Sequence, residues 1–148
     1  MSHTRRILLA DDHALVRAGI RALLESLPGI AVVGETGDGL EAVERVRRDP
    51  PDAIVLDITL PGLNGLEAAA HIANLGVPTR VLMLSMHASA EYAARALAVG
   101  AAGYLNKDAA FDELATALEE IFAGRRYLCR AIDPELVQQF ERRASVGE

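Results

Sequence analysis

Ala53-Ile54-Val55-Leu56-Asp57-Ile58-Thr59-Leu60-Pro61-Gly62-Leu63-Asn64-Gly65 is the stretch on which the fold turns. Its first four residues are continuously apolar, where a strand wet on one face would alternate. The run therefore predicts a strand covered on both faces, as in a parallel sheet. It ends on an aspartate. Pro61-Gly62 then suit a tight turn. Asn64, with Glu67 three residues on, forms a capping-box pattern that opens a helix. The stretch thus reads as a strand and a helix with a carboxylate between them.

The same unit recurs on either side. Ile7-Leu8-Leu9-Ala10, Ile30-Ala31-Val32-Val33 and Val81-Leu82-Met83-Leu84 are further apolar runs, and Ala102-Gly103-Tyr104-Leu105 is a fifth and weakest. They begin roughly 25 residues apart, room for a strand, a crossover helix and two loops. Residues 13–27 place Val16, Ile20, Leu23, Leu24 and Leu27 on one helical stripe, ended by Pro28-Gly29. Asp38 and Glu41 repeat the capping-box pattern before a helix carrying Leu40, Val43 and Val46, which Pro50-Pro51 stop. The third helix is expected to end near Gly76. An alanine-rich fourth spans 89–99 and is closed by Gly100. Asp108 is expected to cap a fifth, with Phe111, Leu114, Ala115, Leu118, Ile121 and Phe122 on its apolar face and Gly124 past its end. The expected fold is α/β: a doubly wound (βα)5 arrangement on a five-stranded parallel sheet, with right-handed crossovers setting helices on both faces. Beyond Gly124 the pattern breaks. Asp133-Pro134 predicts a short extra helix to about Arg143, outside the repeat.

Composition bounds the function. The 148 residues suit one domain with a short appendage, and 51% apolar content provides a full core. A net charge of -6 offers no electrostatic footprint for nucleic acid. Residues 125–148 carry +1 and residues 1–124 carry -7. Cys129, the single cysteine, excludes an internal disulfide or a thiolate metal site and reads as an incidental thiol. Arg5-Arg6 suggest a twin-arginine leader, but the apolar run that follows is too short for one and stops at two aspartates. No stretch is long enough to span a bilayer. A cytoplasmic protein with no membrane partner is expected.

In an open parallel sheet, chemistry gathers beyond the carboxyl ends of the strands. There the sequence puts Asp11 and Asp12 after the first run, Asp57 after the third, Ser85 after the fourth and Lys107, the only lysine, just past the fifth. Helix capping by Asp11 or Asp12 would account for one of the acids. Three carboxylates packed together suit a hard divalent cation such as Mg²⁺, which binds few carboxylates and retains waters. Together with Mg²⁺ and Lys107 they are neutral, so a phosphoryl group meets no net negative charge. Ser85 has no histidine placed as its base, and His87 is expected to face outward. A carboxylate needs none, which makes Asp57 the candidate nucleophile.

Ala10-Asp11-Asp12-His13, the 56–65 segment from Leu56 to Gly65, Leu84-Ser85-Met86-His87 and the 100–109 segment around Lys107 together resemble the signatures of response regulator receiver domains. The likeness covers residues 5–128 and is nearest the NarL/FixJ group, with its LuxR-type helix-turn-helix output. The resemblance implies a flavodoxin-like receiver fold. It implies Asp57 as phosphoacceptor, Asp12 as direct metal ligand, Asp11 as a ligand through water and the Thr59 backbone carbonyl as a further ligand. The metal would be Mg²⁺ or Mn²⁺. Ser85 and Lys107 would bind the phosphoryl oxygens. Tyr104 falls at the aromatic switch position; the plainer alternative is a half-buried tyrosine near a strand end that only packs. Gly62 and Gly65 fit the tight loop. Ala14 and Leu60 replace the commoner Pro and Met, and residues 86–89 lack the acidic pair often found there.

The implied partner is a sensor histidine kinase. The chain would catalyse its own phosphorylation from phosphohistidine and its slow dephosphorylation, without being a conventional enzyme. Residues 1–128 form the receiver, and residues 129–148 a linker with a short helix. An output domain outside this chain would bind DNA. The alternative is a stand-alone receiver acting through protein contacts, and a homodimer through the receiver is possible on either reading. Two other classes share parts of the pattern. A flavin carrier of the flavodoxin type would want hydroxyl and amide donors where Asp11-Asp12 stand. A haloacid-dehalogenase-type phosphatase would place its nucleophile after the first strand, with a second Asp two residues on, where Asp57 is followed by Thr59. A degenerate receiver working by binding alone would lack some of the reacting groups, and the set is complete.

Overall fold

A computed structural model describes residues 4–146; the first three residues, where the leader question begins, and the last two lie outside it. The strands are β1 (Arg5–Ala10), β2 (Ile30–Thr36), β3 (Ala53–Asp57), β4 (Arg80–Ser85), β5 (Gly103–Asn106) and β6 (Tyr127–Leu128). The helices are α1 (Ala14–Ser26), α2 (Gly39–Arg48), α3 (Gly65–Asn74), α4 (Ala90–Ala98), α5 (Lys107–Phe122) and α6 (Pro134–Val146). All strands are parallel, in the order β2-β1-β3-β4-β5-β6. The expected five βα units are present, with β6 as a sixth strand of two residues.

The apolar runs behave as their composition requires. β3 is buried along its whole length, and Leu82, Met83, Leu84, Tyr104 and Leu105 continue the core into β4 and β5. β2 departs from expectation. It is the sheet edge, it is only half-buried, and Val33 faces water. Its continuous run Ile30-Ala31-Val32-Val33 therefore does not mark a strand covered on both faces. The β1–β2 ladder also slips by one residue between Ile7 and Leu8.

Helix α1 contacts α5, while α2, α3, α4 and α6 form a continuous series. With this strand order, right-handed crossovers put α1 on one face and α2 to α4 on the other. α5 shares the face of α1, yet β6 joins beyond β5. The β5-α5-β6 crossover is therefore left-handed, against the usual sense. The chain passes over the sheet edge at β6, and α6 packs on α4. Cys129, Ile132 and Val137 are buried in the same core as the sheet. α6 begins at Pro134, as expected.

Caps explain most helix starts, and two differ from expectation. Asn64 and Glu67 make the full reciprocal box, and Ser89 caps α4 through the Tyr92 amide. Asp38 accepts from the Leu40 and Glu41 amides, but Glu41 turns away to Arg45, so only half the box forms. Leu40, expected on the apolar side of α2, is exposed. Asp108 is not the cap of α5: that helix already starts at Lys107, with Asn106 at the N-cap and Asp108 in the first turn. Its buried face is Ala110, Glu113, Leu114, Ala117, Leu118 and Ile121. Phe111 is 51% exposed and Ala115 faces solvent, because the helix turns Glu113 inward. The Glu113 carboxylate accepts from the Tyr127 hydroxyl at 2.6 Å and the Arg130 amide at 3.1 Å, tying α5 to β6.

Candidate phosphoryl and metal site

Strand register assembles the site. Ala10 pairs with Leu56, so Asp11 emerges beside Asp57. Asp57 pairs with Leu84, and Ser85 with Asn106, which brings Ser85 and then Lys107 to the same rim. Gly65 is what allows the loop after Asp57 to fold back. A Cβ there would fall inside the Asp57 carbonyl, and the Gly65 amide donates to Ile58 O at 2.6 Å. Gly62 takes a φ of 81° in the same loop, a left-handed conformation that glycine adopts without strain.

The expected residues meet. Asp57 is 1% exposed and Lys107 5%; Nζ of Lys107 donates to Asp57 Oδ2 at 3.0 Å and to Asp11 Oδ1 at 3.2 Å. Thr59 N donates to Asp57 Oδ1 at 3.1 Å, while the Thr59 side chain lies at the surface. Asp11 is fully buried and Asp12 exposed. Neither caps α1, whose N-cap is His13 with no side-chain cap. Asp11 Oδ1 instead accepts from the His13 amide at 2.8 Å. Burial pushes the Asp57 carboxyl above its ordinary range, Lys107 pulls it back, and the neighbouring Asp11 carboxylate adds to the rise.

The donor set fits a divalent cation. Ligand atoms of Asp11, Asp12, His13 and Asp57 lie within 4.8 Å of one another. Asp11 Oδ2, buried, stands 3.0 Å from Lys107 Nζ yet has no hydrogen-bond partner, so it keeps acceptor capacity.

Ser85 and Tyr104 both bear on His87. The His87 amide donates to Ser85 Oγ at 3.1 Å, and the Tyr104 hydroxyl donates to the His87 carbonyl at 2.7 Å. Tyr104 is fully buried, not half-buried, and burial raises its phenol above the ordinary value. The side chain of His87 is exposed, as expected.

Two site residues escaped the sequence reading. His13 Nδ1 is 3.0 Å from Lys107 Nζ and 3.4 Å from Asp12 Oδ1; its signal was its place directly after the paired acids. Arg17 donates to the Asp11 carbonyl at 2.6 Å and to Glu35 at 2.9 Å, bracing the acidic turn; an arginine in a helix repeat carries no such signal.

Comparison with known proteins agrees with this geometry. Residues 7–119 match the family model of the response regulator receiver domain. The response regulator UvrY of Escherichia coli K12 is 41% identical over 130 residues, taking in 88% of this chain and 60% of that protein. The response regulator GacA of Pseudomonas viridiflava is 36% identical over 134 residues, 90% of this chain and 61% of that protein. The chain thus spans about three fifths of the length of these curated relatives. A LuxR-family two-component response regulator from Aurantimonas sp. SI85-9A1 superposes with a TM-score of 0.81 at 41% identity, over 97% of this chain and 99% of that one. Among the described residues no helix is long and apolar enough to cross a membrane. With four strand ends converging on one acidic rim and relatives of this kind on both counts, the chain belongs to the response regulator receiver family, among receivers of NarL/LuxR type.

Proposed function

We propose that Asp57 accepts a phosphoryl group from the phosphohistidine of a sensor histidine kinase. The observation that carries this is the buried Asp57–Lys107 pair at 3.0 Å, set beside the Asp11 carboxylate. An Asp57 oxygen attacks phosphorus as the P–N bond breaks, and the donor imidazole leaves with the electron pair and takes up a proton. An acyl phosphate results. Attack of water on that phosphorus later returns the carboxylate and releases inorganic phosphate. Asp11, Asp12, Asp57 and the Thr59 carbonyl would hold Mg²⁺ or Mn²⁺, which when bound offsets the charge on the phosphoryl oxygens. Lys107 exchanges Asp57 Oδ2 for a phosphoryl oxygen. Ser85 donates its hydroxyl to another, and Tyr104 carries the resulting shift of the loop after β4 into β5.

The receiver comprises residues 1–128, with 129–148 leading to a DNA-binding output in a cytoplasmic transcription regulator. The relatives' greater length and the LuxR-family name of the Aurantimonas protein support this. Dimerisation of the phosphorylated receiver would pair two outputs on DNA. The test is incubation of the chain with Mg²⁺ and acetyl phosphate, followed by intact mass. One added phosphoryl group is expected, and none on Asp57→Asn. Equal labelling of that variant refutes the assignment.

A further inference from the structure

The acidic rim is not an all-oxygen site. His13 Nδ1 lies 3.3 Å from Asp11 Oδ1, 3.4 Å from Asp12 Oδ1 and 3.8 Å from Asp57 Oδ2. Lys107 Nζ, 3.0 Å away, has only donors, so in the Nε2–H tautomer Nδ1 accepts from it and turns its lone pair inward. That lone pair is the one an imidazole offers to a metal. In the fold described, the Lys107 ammonium sits among Asp11, His13 and Asp57, the groups a divalent ion would share. Oδ2 of buried Asp11 has no hydrogen-bond partner, an independent sign that the rim has acceptor capacity beyond what Lys107 uses.

Carboxylates suit Mg²⁺, whereas imidazole favours the first-row transition ions, whose affinities for mixed nitrogen–oxygen sites rise along the series. We propose that His13 Nδ1 completes a mixed seat with Asp12 and Asp57, so that a transition-metal dication such as Co²⁺ or Zn²⁺ binds here in preference to Mg²⁺. The inference rests on the reading of this rim as a cation site and adds to it the class of cation. A transition ion seated through His13 competes with Mg²⁺ for Asp12 and Asp57, which makes the receiver responsive to the balance of the two.

The test uses the metal-free chain and His13→Phe, a substitution at a half-exposed side chain that keeps a planar ring and removes the nitrogen. Calorimetric titration with CoCl₂ and, separately, MgCl₂ gives the selectivity. The variant is expected to lose on the order of tenfold in Co²⁺ affinity and less than about twofold in Mg²⁺ affinity. Pulsed EPR of the Mn²⁺-loaded parent is expected to show a directly bound ¹⁴N coupling, absent from His13→Phe and retained in His71→Phe and His87→Phe. Mg²⁺ binding by a parent that shows no nitrogen coupling, or equal losses of both ions in the variant, overturns the His13 assignment alone. Failure of the parent to bind either ion overturns both this inference and the cation site beneath it.

Discussion

At Asp57, burial and the Asp11 carboxylate disfavour the charge that the Lys107 ammonium favours, and the sum raises its pKa. A carboxyl whose folded-state pKa is raised contributes stability while protonated and loses it as pH climbs through that raised value. At neutral pH, where the unfolded carboxyl is ionised, folding of the metal-free protein therefore carries a cost at Asp57. Asp57→Asn is expected to melt higher in the absence of metal at pH 7, by on the order of 1 kcal/mol or about 3 °C. The gain should vanish on acidification to the ordinary carboxylate range, where Asp57 is protonated. Thermal melts of both proteins in EDTA between pH 4 and pH 8 would show it, and a gain that grows towards acid would contradict the sign. The residues of this site were legible because each follows an apolar run, where a charged side chain has no packing reason to be. His13 was not, because a histidine at a helix entry is usually just solvated.

Among the elements, the β6–α6 segment is held from below by one buried acid. Glu113 binds the Tyr127 hydroxyl and the Arg130 amide, while the Cys129 amide donates to Tyr104 O at 3.0 Å. Burial also pushes the Cys129 thiol above its ordinary pKa, so the thiol is both covered and protonated. Glu113→Ala removes bonds to a buried charged group worth about 1.5–3 kcal/mol each. Opening of the segment then becomes easier, and Cys129 should react with a thiol reagent roughly 10- to 100-fold faster than in the parent, at unchanged far-UV dichroism. An unchanged rate would mean that α6 is held by its contact with α4 alone. This segment was the least legible part of the fold. A two-residue strand has no periodicity to read, and on α5 the expected Leu114, Leu118 and Ile121 are buried while Phe111 and Ala115 are not, because the inward turn of a carboxylate such as Glu113 leaves no apolar signal. The strands β1, β3 and β4 were plain because burial on both faces leaves little room for polar residues, β5 was the weakest run, and edge strand β2 carried the same apolar letters without that burial.

For the whole molecule, the acid rim is expected to couple stability to divalent cations. Mg²⁺ at about 100 times its dissociation constant should add roughly 2.7 kcal/mol, raising the melting temperature by about 5–10 °C. Asp12→Ala should forfeit most of that increment while leaving the fold itself intact; a variant that keeps the full increment would move the seat away from Asp12. Domain-scale organisation was legible as five repeats, since the recurrence of run and helix does not depend on any single contact. The strand order has a further consequence, for the growing chain. After β1 and β2 pair, β3 joins the open edge of β1, and β4, β5 and β6 each join the edge left by the strand before. Every strand after β1 thus finds a partner already made. The acids of the rim are complete once β3 docks, but the only lysine follows Asp57 by 50 residues. At roughly 5–20 residues per second, the nascent sheet spends about 2.5–10 s carrying its carboxylates without its own ammonium. In that interval any counterion for the rim has to come from solution.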